Sequence, residues 1–206
     1  MPGFRHVGAC RMPAARFCIS KRTAGFILPE LIMHIFLTGE IQVGKTTVIR
    51  NFLTKTGLPA DGFMTYWKED SGGRSLYLSG YGFEHQTCNE FLVYCGGHGR
   101  KPLISADLTD IFNTKGVHLL KNSGKKSVIV MDELGFLESK ALSFQKAVFE
   151  HISGDVPVLG VVKPAKTEFL DAVRSFPGVE VYVITLGNRE NVLSNLLKNY
   201  AGREMR

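Results

Sequence analysis

From residue 34 onward the chain alternates short apolar, β-branched runs with amphipathic stretches. His34–Thr38 predicts a strand, and residues 45–55 predict a helix with Val48, Ile49, Phe52 and Leu53 along one face. Runs at 127–131, 156–162 and 179–184 are predominantly apolar, as strands buried on both faces are. Helical patterns follow them at 139–151, 167–175 and 190–200, with Thr167 a candidate N-cap. This alternation predicts an α/β fold whose mostly parallel sheet is covered on both sides, a three-layer arrangement. Residues 61–68 and 74–81 read differently: two strand-like runs around a turn at 69–73 predict an antiparallel insert beside that sheet. Residues 107–121 look helical, with Asp107 near the N-cap and Gly116 a weak point.

Composition narrows the classes. Of the 206 residues 44% are hydrophobic, 14 of them Phe, which is enough for a sizeable core. The net charge of +6 suggests nucleic-acid binding until it is mapped. Residues 1–33 hold Arg5, Arg11, Arg16, Lys21 and Arg22 against Glu30, a net of +4, so the body carries only +2. A nucleic-acid partner is therefore not expected. Residues 1–32 read as a basic N-terminal extension and 33–206 as the folded domain. The extension is Arg-rich and acid-poor like a transit peptide, but it has little Ser and no clear amphipathic stripe. A disordered arm suits it better, and a start at Met33 would lose nothing foldable. No apolar run approaches the roughly 18 residues of a membrane span. Four cysteines in a chain this long make no disulfide framework, so a reducing, cytoplasmic setting is expected.

The most informative segment follows the first strand. Gly39, Gly44, Lys45 and Thr46 form G-x-x-x-x-G-K-T between a strand and a helix. Glycine at 39 and 44 permits backbone angles that a Cβ forbids, so successive N–H groups can turn inward around a phosphate. Lys45 adds a mobile charge for the β- and γ-phosphates, and the Thr46 hydroxyl is a ligand for Mg²⁺. The helix that follows aims its positive end at the same anion. The nucleotide-binding set is thus Gly39, Glu40, Ile41, Gln42, Val43, Gly44, Lys45, Thr46 and Thr47.

A Mg²⁺ held by Thr46 calls for a carboxylate at the end of a neighbouring buried strand. The 127–131 run ends in Asp132 and Glu133. Asp132 is the second metal-holding residue, through the ion's water shell, and Glu133 the group that polarises the attacking water. Ligands of parallel sheets lie beyond the carboxyl ends of the strands, an edge that also collects Lys163 and residues 185–189. Arg189 is a candidate cation for the γ-phosphate, while Lys163 reads first as a solvent-exposed loop lysine. The insert at 61–81 stands beside this edge, where a base or acceptor can be read. His85, Cys88, Cys95 and His98 have metal-like spacing, H-x₂-C-x₆-C-x₂-H, in a Gly-containing stretch. The central gap is short for two zinc knuckles, so ordinary loop residues are the better reading.

Four stretches, in this order and spacing, carry a resemblance: residues 35–39 with 44–47, residues 61–63, residues 130–135 with Glu138, and Thr185 with Asn188 and Arg189. From about residue 33 to 200 the chain resembles the small P-loop nucleoside-triphosphatases, the family of the cancer-related nucleoside-triphosphatase and its archaeal and bacterial relatives. The resemblance implies a RecA-like α/β fold and Mg²⁺-dependent hydrolysis of several nucleoside triphosphates, ATP and GTP among them, to diphosphate and phosphate, with loose base preference. Phe136 stands where that family usually has Lys, and Gly187 where it has Glu; Glu40, Ile41 and Gln42 occupy loop positions often filled by Gly or Pro. The missing Lys removes a cation near the site, which Lys163 is available to replace. Two rival readings are a nucleotide-kinase-type phosphotransferase and a nucleotide-binding regulatory module with negligible turnover. Arg74 and Arg100 alone do not make the Arg-rich lid of a kinase.

Overall fold

The computed structural model describes residues 34–83, 89–96, 101–122 and 128–204. Residues 1–33, and with them the expected N-terminal extension, lie outside the described residues. Among the described residues, β1 (His34–Thr38), β2 (Ala60–Asp70), β3 (Gly73–Gly80), β4 (Glu90–Gly96), β5 (Leu103–Ile104), β6 (Val128–Leu134), β7 (Val158–Val162) and β8 (Val179–Val183) form one sheet of eight strands, ordered β5-β4-β3-β2-β6-β7-β1-β8. β2, β6, β7, β1 and β8 run parallel. β3, β4 and β5 extend the sheet antiparallel from β2.

The parallel half is apolar on both faces because both are covered. Alternation along β6 shows it: Val128 and Val130 join one core with α1 (Lys45–Thr56) and α6 (Arg189–Glu204). Ile129 and Met131 join the other, against α4 (Leu142–Ile152) and α5 (Glu168–Arg174). The expected 107–121 helix lies on that second face as α2 (Leu108–Ile111), a π-helical turn (Phe112–Gly116) and α3 (Val117–Lys121). Gly116 explains the irregularity: a Cβ there would press on the Phe144 ring at 2.7 Å, so the small residue lets this element close on α4. Thr167 caps α5, its hydroxyl accepting from the Leu170 N–H at 3.2 Å. His34 opens β1 although buried, because its Nδ1 accepts the Val158 N–H at 3.2 Å. Burial lowers its pKa, as a neutral acceptor requires.

Two expectations are corrected. The strand expected to end at residue 131 continues through Asp132 and Glu133 to Leu134, which still pairs with Val162 of β7. The stretch around Cys95 is not a loop: Cys95 and Gly96 lie in β4, whose Leu92 and Val93 are buried. Its alternation is short and shares the sequence with glycines, which hid it. Cys95 packs against the core as a free cysteine, while His85, Cys88 and His98 lie outside the described residues. No helix among the described residues is long and apolar enough to cross a membrane.

Candidate functional site

The carboxyl ends of β1, β7 and β6 converge on a cleft of about 400 Å³. Its lining comprises Ile41, Gln42, Gly44, Lys45, Thr46 and Thr47 from the β1–α1 loop, Asp132 and Glu133 from β6, Lys163 after β7, and Thr65, Trp67, Arg74 and Leu76 from β2 and β3. Of the stretches expected to meet, the loop, the β6 end and Lys163 do so, while residues 185–189 lie outside this lining.

The loop is built to expose its amides. Gly39 has φ +134° and a Cβ there would collide with the Ile184 carbonyl; Gly44 has φ +94° and ends the loop as the N-cap of α1. The first intrahelical bond runs from the Val48 N–H to the Gly44 carbonyl at 3.0 Å, which leaves the amides of residues 45–47 without helical partners. No acidic side chain occupies that first turn. Val43 anchors the loop in the α1–α6 core, and Ile41 stands out at its tip. The Lys45 Nζ donates to the Gly39 carbonyl at 3.0 Å and the Glu40 carbonyl at 2.6 Å, so it waits folded across the loop. Gly39, Glu40 and Val43 thus shape the loop without lining the cleft.

Asp132 is buried beside Thr46, whose hydroxyl bonds to its carboxylate. Burial raises its pKa to about 6; the Thr46 bond and the charges of Arg50 and Lys45 oppose the rise, and Glu133 adds to it. The Asp132 Oδ2 is buried with no hydrogen-bond partner. Two hard oxygen donors, Thr46 at the start of α1 and Asp132 on β6, the latter with an unsatisfied oxygen, fit Mg²⁺.

Glu133 points the other way, toward Lys163, with Oε1 to Nζ at 2.8 Å. Lys163 is thereby corrected: its side chain is only 32% exposed and paired, not a free loop lysine. Its position is braced from several sides. Its own N–H donates to the Leu134 carbonyl at 2.9 Å, and Arg174 donates Nη2 to the Lys163 carbonyl and, at 2.7 Å, to the Ala165 carbonyl. The Lys163 Nζ also lies 5.4 Å from the Phe136 ring centroid, so it stands in the space next to the residue that departs from the resembled family. Below it, Glu138 is fully enclosed, its Oε1 accepting the Gly135 N–H at 2.9 Å.

Arg189 lies on the far side of the loop. Asn188 holds the start of α6 with its Oδ1 on the Thr185 N–H at 2.8 Å and its Nδ2 on the Val183 carbonyl at 2.9 Å. This sets the Arg189 Nη1 3.5 Å from where a Gly44 Cβ would stand, on the β8 flank and outside the cleft lining. Sequence reasoning missed Trp67 and Arg74 as parts of the site, and named Glu138 only among the residues that carry the resemblance. Only the expectation that the insert borders the edge pointed toward the first two.

A Gly-Lys-Thr loop opening a helix, a buried strand-borne carboxylate opposite it and a sheet flanked by helices define a P-loop α/β nucleotide-binding protein. The NTPase family model matches residues 34–197, and the chain belongs to that family. It is 32% identical to nucleoside-triphosphatase THEP1 of Methanocaldococcus jannaschii over 174 residues, 80% of this chain and 95% of the relative. It is 30% identical to the cancer-related nucleoside-triphosphatase homolog of Bos taurus over 187 residues, 80% of this chain and 94% of the relative. Both names denote a hydrolase activity. The crystal structure of THEP1 from Aquifex aeolicus shares the fold with a TM-score of 0.62 at 21% identity, over 81% of this chain and 98% of that one.

Proposed function

We propose that the chain hydrolyses nucleoside triphosphates, ATP and GTP among them, to diphosphate and phosphate with Mg²⁺ as cofactor. One observation carries the reading: the unpaired amides of α1, the Thr46–Asp132 oxygen pair and the Glu133 carboxylate all face one cleft. The amides of residues 44–47 and the swinging Lys45 ammonium receive the β- and γ-phosphates. Thr46 and Asp132 hold the metal ion. When bound, that ion neutralises charge developing on the phosphate oxygens.

Glu133 takes a proton from the attacking water, and its pairing with Lys163 fixes the direction of its carboxylate. Arg189, on the β8 flank, contributes charge on the nucleoside side of the loop. We place this activity in the cytoplasm, the setting suited to the chain's cysteine usage.

Phosphate release from the four common nucleoside triphosphates, with and without Mg²⁺, for the native protein and Lys45→Ala, tests the reading. Release that needs the ion, needs Lys45 and proceeds without an added acceptor is expected. Release only when a second nucleoside or nucleotide is supplied contradicts it.

A further inference from the structure

β2 parts from β6 after Met64, which lies opposite Asp132, yet keeps pairing with β3 as far as Asp70 opposite Gly73. Residues 65–70 and their partners in β3 thus form a ribbon projecting past the edge that carries Asp132 and Glu133. Trp67 and Leu76 are cross-strand partners, and Arg74 follows on the same face, which lines the cleft. The Arg74 guanidinium lies over the Trp67 ring, 4.4 Å from its centroid. Among the described residues no carboxylate forms an ion pair with it. Trp67 is 41% exposed, so this cation–π contact is a weak one that a phosphate can displace by offering charge-assisted hydrogen bonds.

The other cations of the site are committed elsewhere. Lys163 is paired with Glu133, Lys45 belongs to the loop, and Arg189 stands on the β8 flank. β2 lies on the opposite side of β6 from β7 and β1. A group on its ribbon therefore approaches a bound triphosphate from the γ end, the side from which Glu133 delivers water.

We propose that Arg74 leaves the Trp67 ring when a triphosphate is bound and donates to the γ-phosphoryl oxygens during hydrolysis, an arginine supplied in cis by the β2–β3 ribbon. The role rests on the hydrolase reading above. In the step, the water oxygen bonds to the γ-phosphorus, the bond from that phosphorus to the β–γ bridging oxygen breaks, the diphosphate keeps the electron pair, and the water's proton passes to Glu133. Charge spread over the γ-oxygens in that passage is what a planar guanidinium neutralises.

Trp67 is the chain's single tryptophan, so its fluorescence reports on Arg74 directly. The test compares native protein, Arg74→Lys and Arg74→Ala with Mg²⁺ present. Arg74→Ala is expected to lower kcat about 100-fold or more while diphosphate affinity stays within about threefold, and Arg74→Lys to fall between the two, since Lys lacks the bidentate fork. In the native protein, diphosphate with aluminium fluoride should shift Trp67 emission beyond diphosphate alone, and that excess should vanish in Arg74→Ala. A kcat for Arg74→Ala within threefold of native, or an unchanged fluoride response in that variant, overturns the role and leaves the hydrolase reading standing. Absence of phosphate release from the native protein, with nucleotide still bound, overturns the hydrolase reading and this role with it.

Discussion

Replacing Glu138 by glutamine tests whether the carboxyl enclosed beneath Lys163 is held protonated by the fold. Its Oε1 takes the Gly135 N–H at 2.9 Å, and its Oε2 is buried with no hydrogen-bond partner. Burial above all lifts its pKa from 4.5 to about 7; the backbone N–H groups of Glu138 and Gly135 and the charge of Lys163 resist, and the charge of Glu133 adds to the rise. Between those two values the folded protein binds more protons than the unfolded chain, so stability falls as pH climbs from about 4.5 to about 7 and then levels off. At about 1.36 kcal/mol per tenfold change in proton affinity, the loss amounts to about 3 kcal/mol. Glutamine has the shape of the protonated acid and cannot ionise. Glu138→Gln should therefore match the native protein within about 1 kcal/mol at pH 5 and exceed it by about 2–3 kcal/mol at pH 8. Urea unfolding at both pH values without divalent ions measures the difference, and the contribution of Asp132, present in both proteins, cancels. A difference that does not change with pH, or that turns in favour of the native protein as pH rises, refutes the reasoning.

Two further outcomes follow from the same geometry. Gly39→Ala should cost about 2–4 kcal/mol, since the new Cβ meets the Ile184 carbonyl in a backbone conformation that L residues rarely adopt; a urea midpoint shift worth under about 0.5 kcal/mol would show that the loop tolerates it. Lys163→Met should lower kcat roughly 10- to 100-fold with KM within about threefold, because Glu133 loses the partner 2.8 Å away that aims it; steady-state kinetics with unaltered kcat would remove Lys163 from any positioning role.

The parts of this molecule legible in its sequence are those whose chemistry is local. A phosphate loop needs particular residues at fixed spacing between a strand and a helix, so Gly39, Gly44, Lys45 and Thr46 announce it. β1 and α1 follow from periods of two and 3.6, and the N-cap at Thr167 from a hydroxyl at the right offset. The Asp132–Glu133 pair was legible as chemistry but not as geometry. The pairing of β6 with β7 shifts register between Met131 and Leu134, and within that irregularity the two carboxylates part, one toward Thr46 and one toward Lys163. Long-range partners were legible only as neighbours along one edge or hairpin, not as pairs. The strand-end edge places Lys163 near Glu133 without pairing them, and the hairpin at 61–81 does not by itself set Arg74 over Trp67. β5 was hidden because this edge strand is only two residues long, and β4, inside it, because its alternation is weak.

The most direct measurement compares Glu133→Gln with the native protein, following both nucleotide affinity by calorimetry and phosphate release with Mg²⁺. The amide keeps the size of the side chain and loses the capacity to accept a proton, so triphosphate affinity should remain within about threefold while release falls at least a hundredfold. Release at the native rate from Glu133→Gln would contradict the account, since the β6 carboxylate could then have no part in activating water.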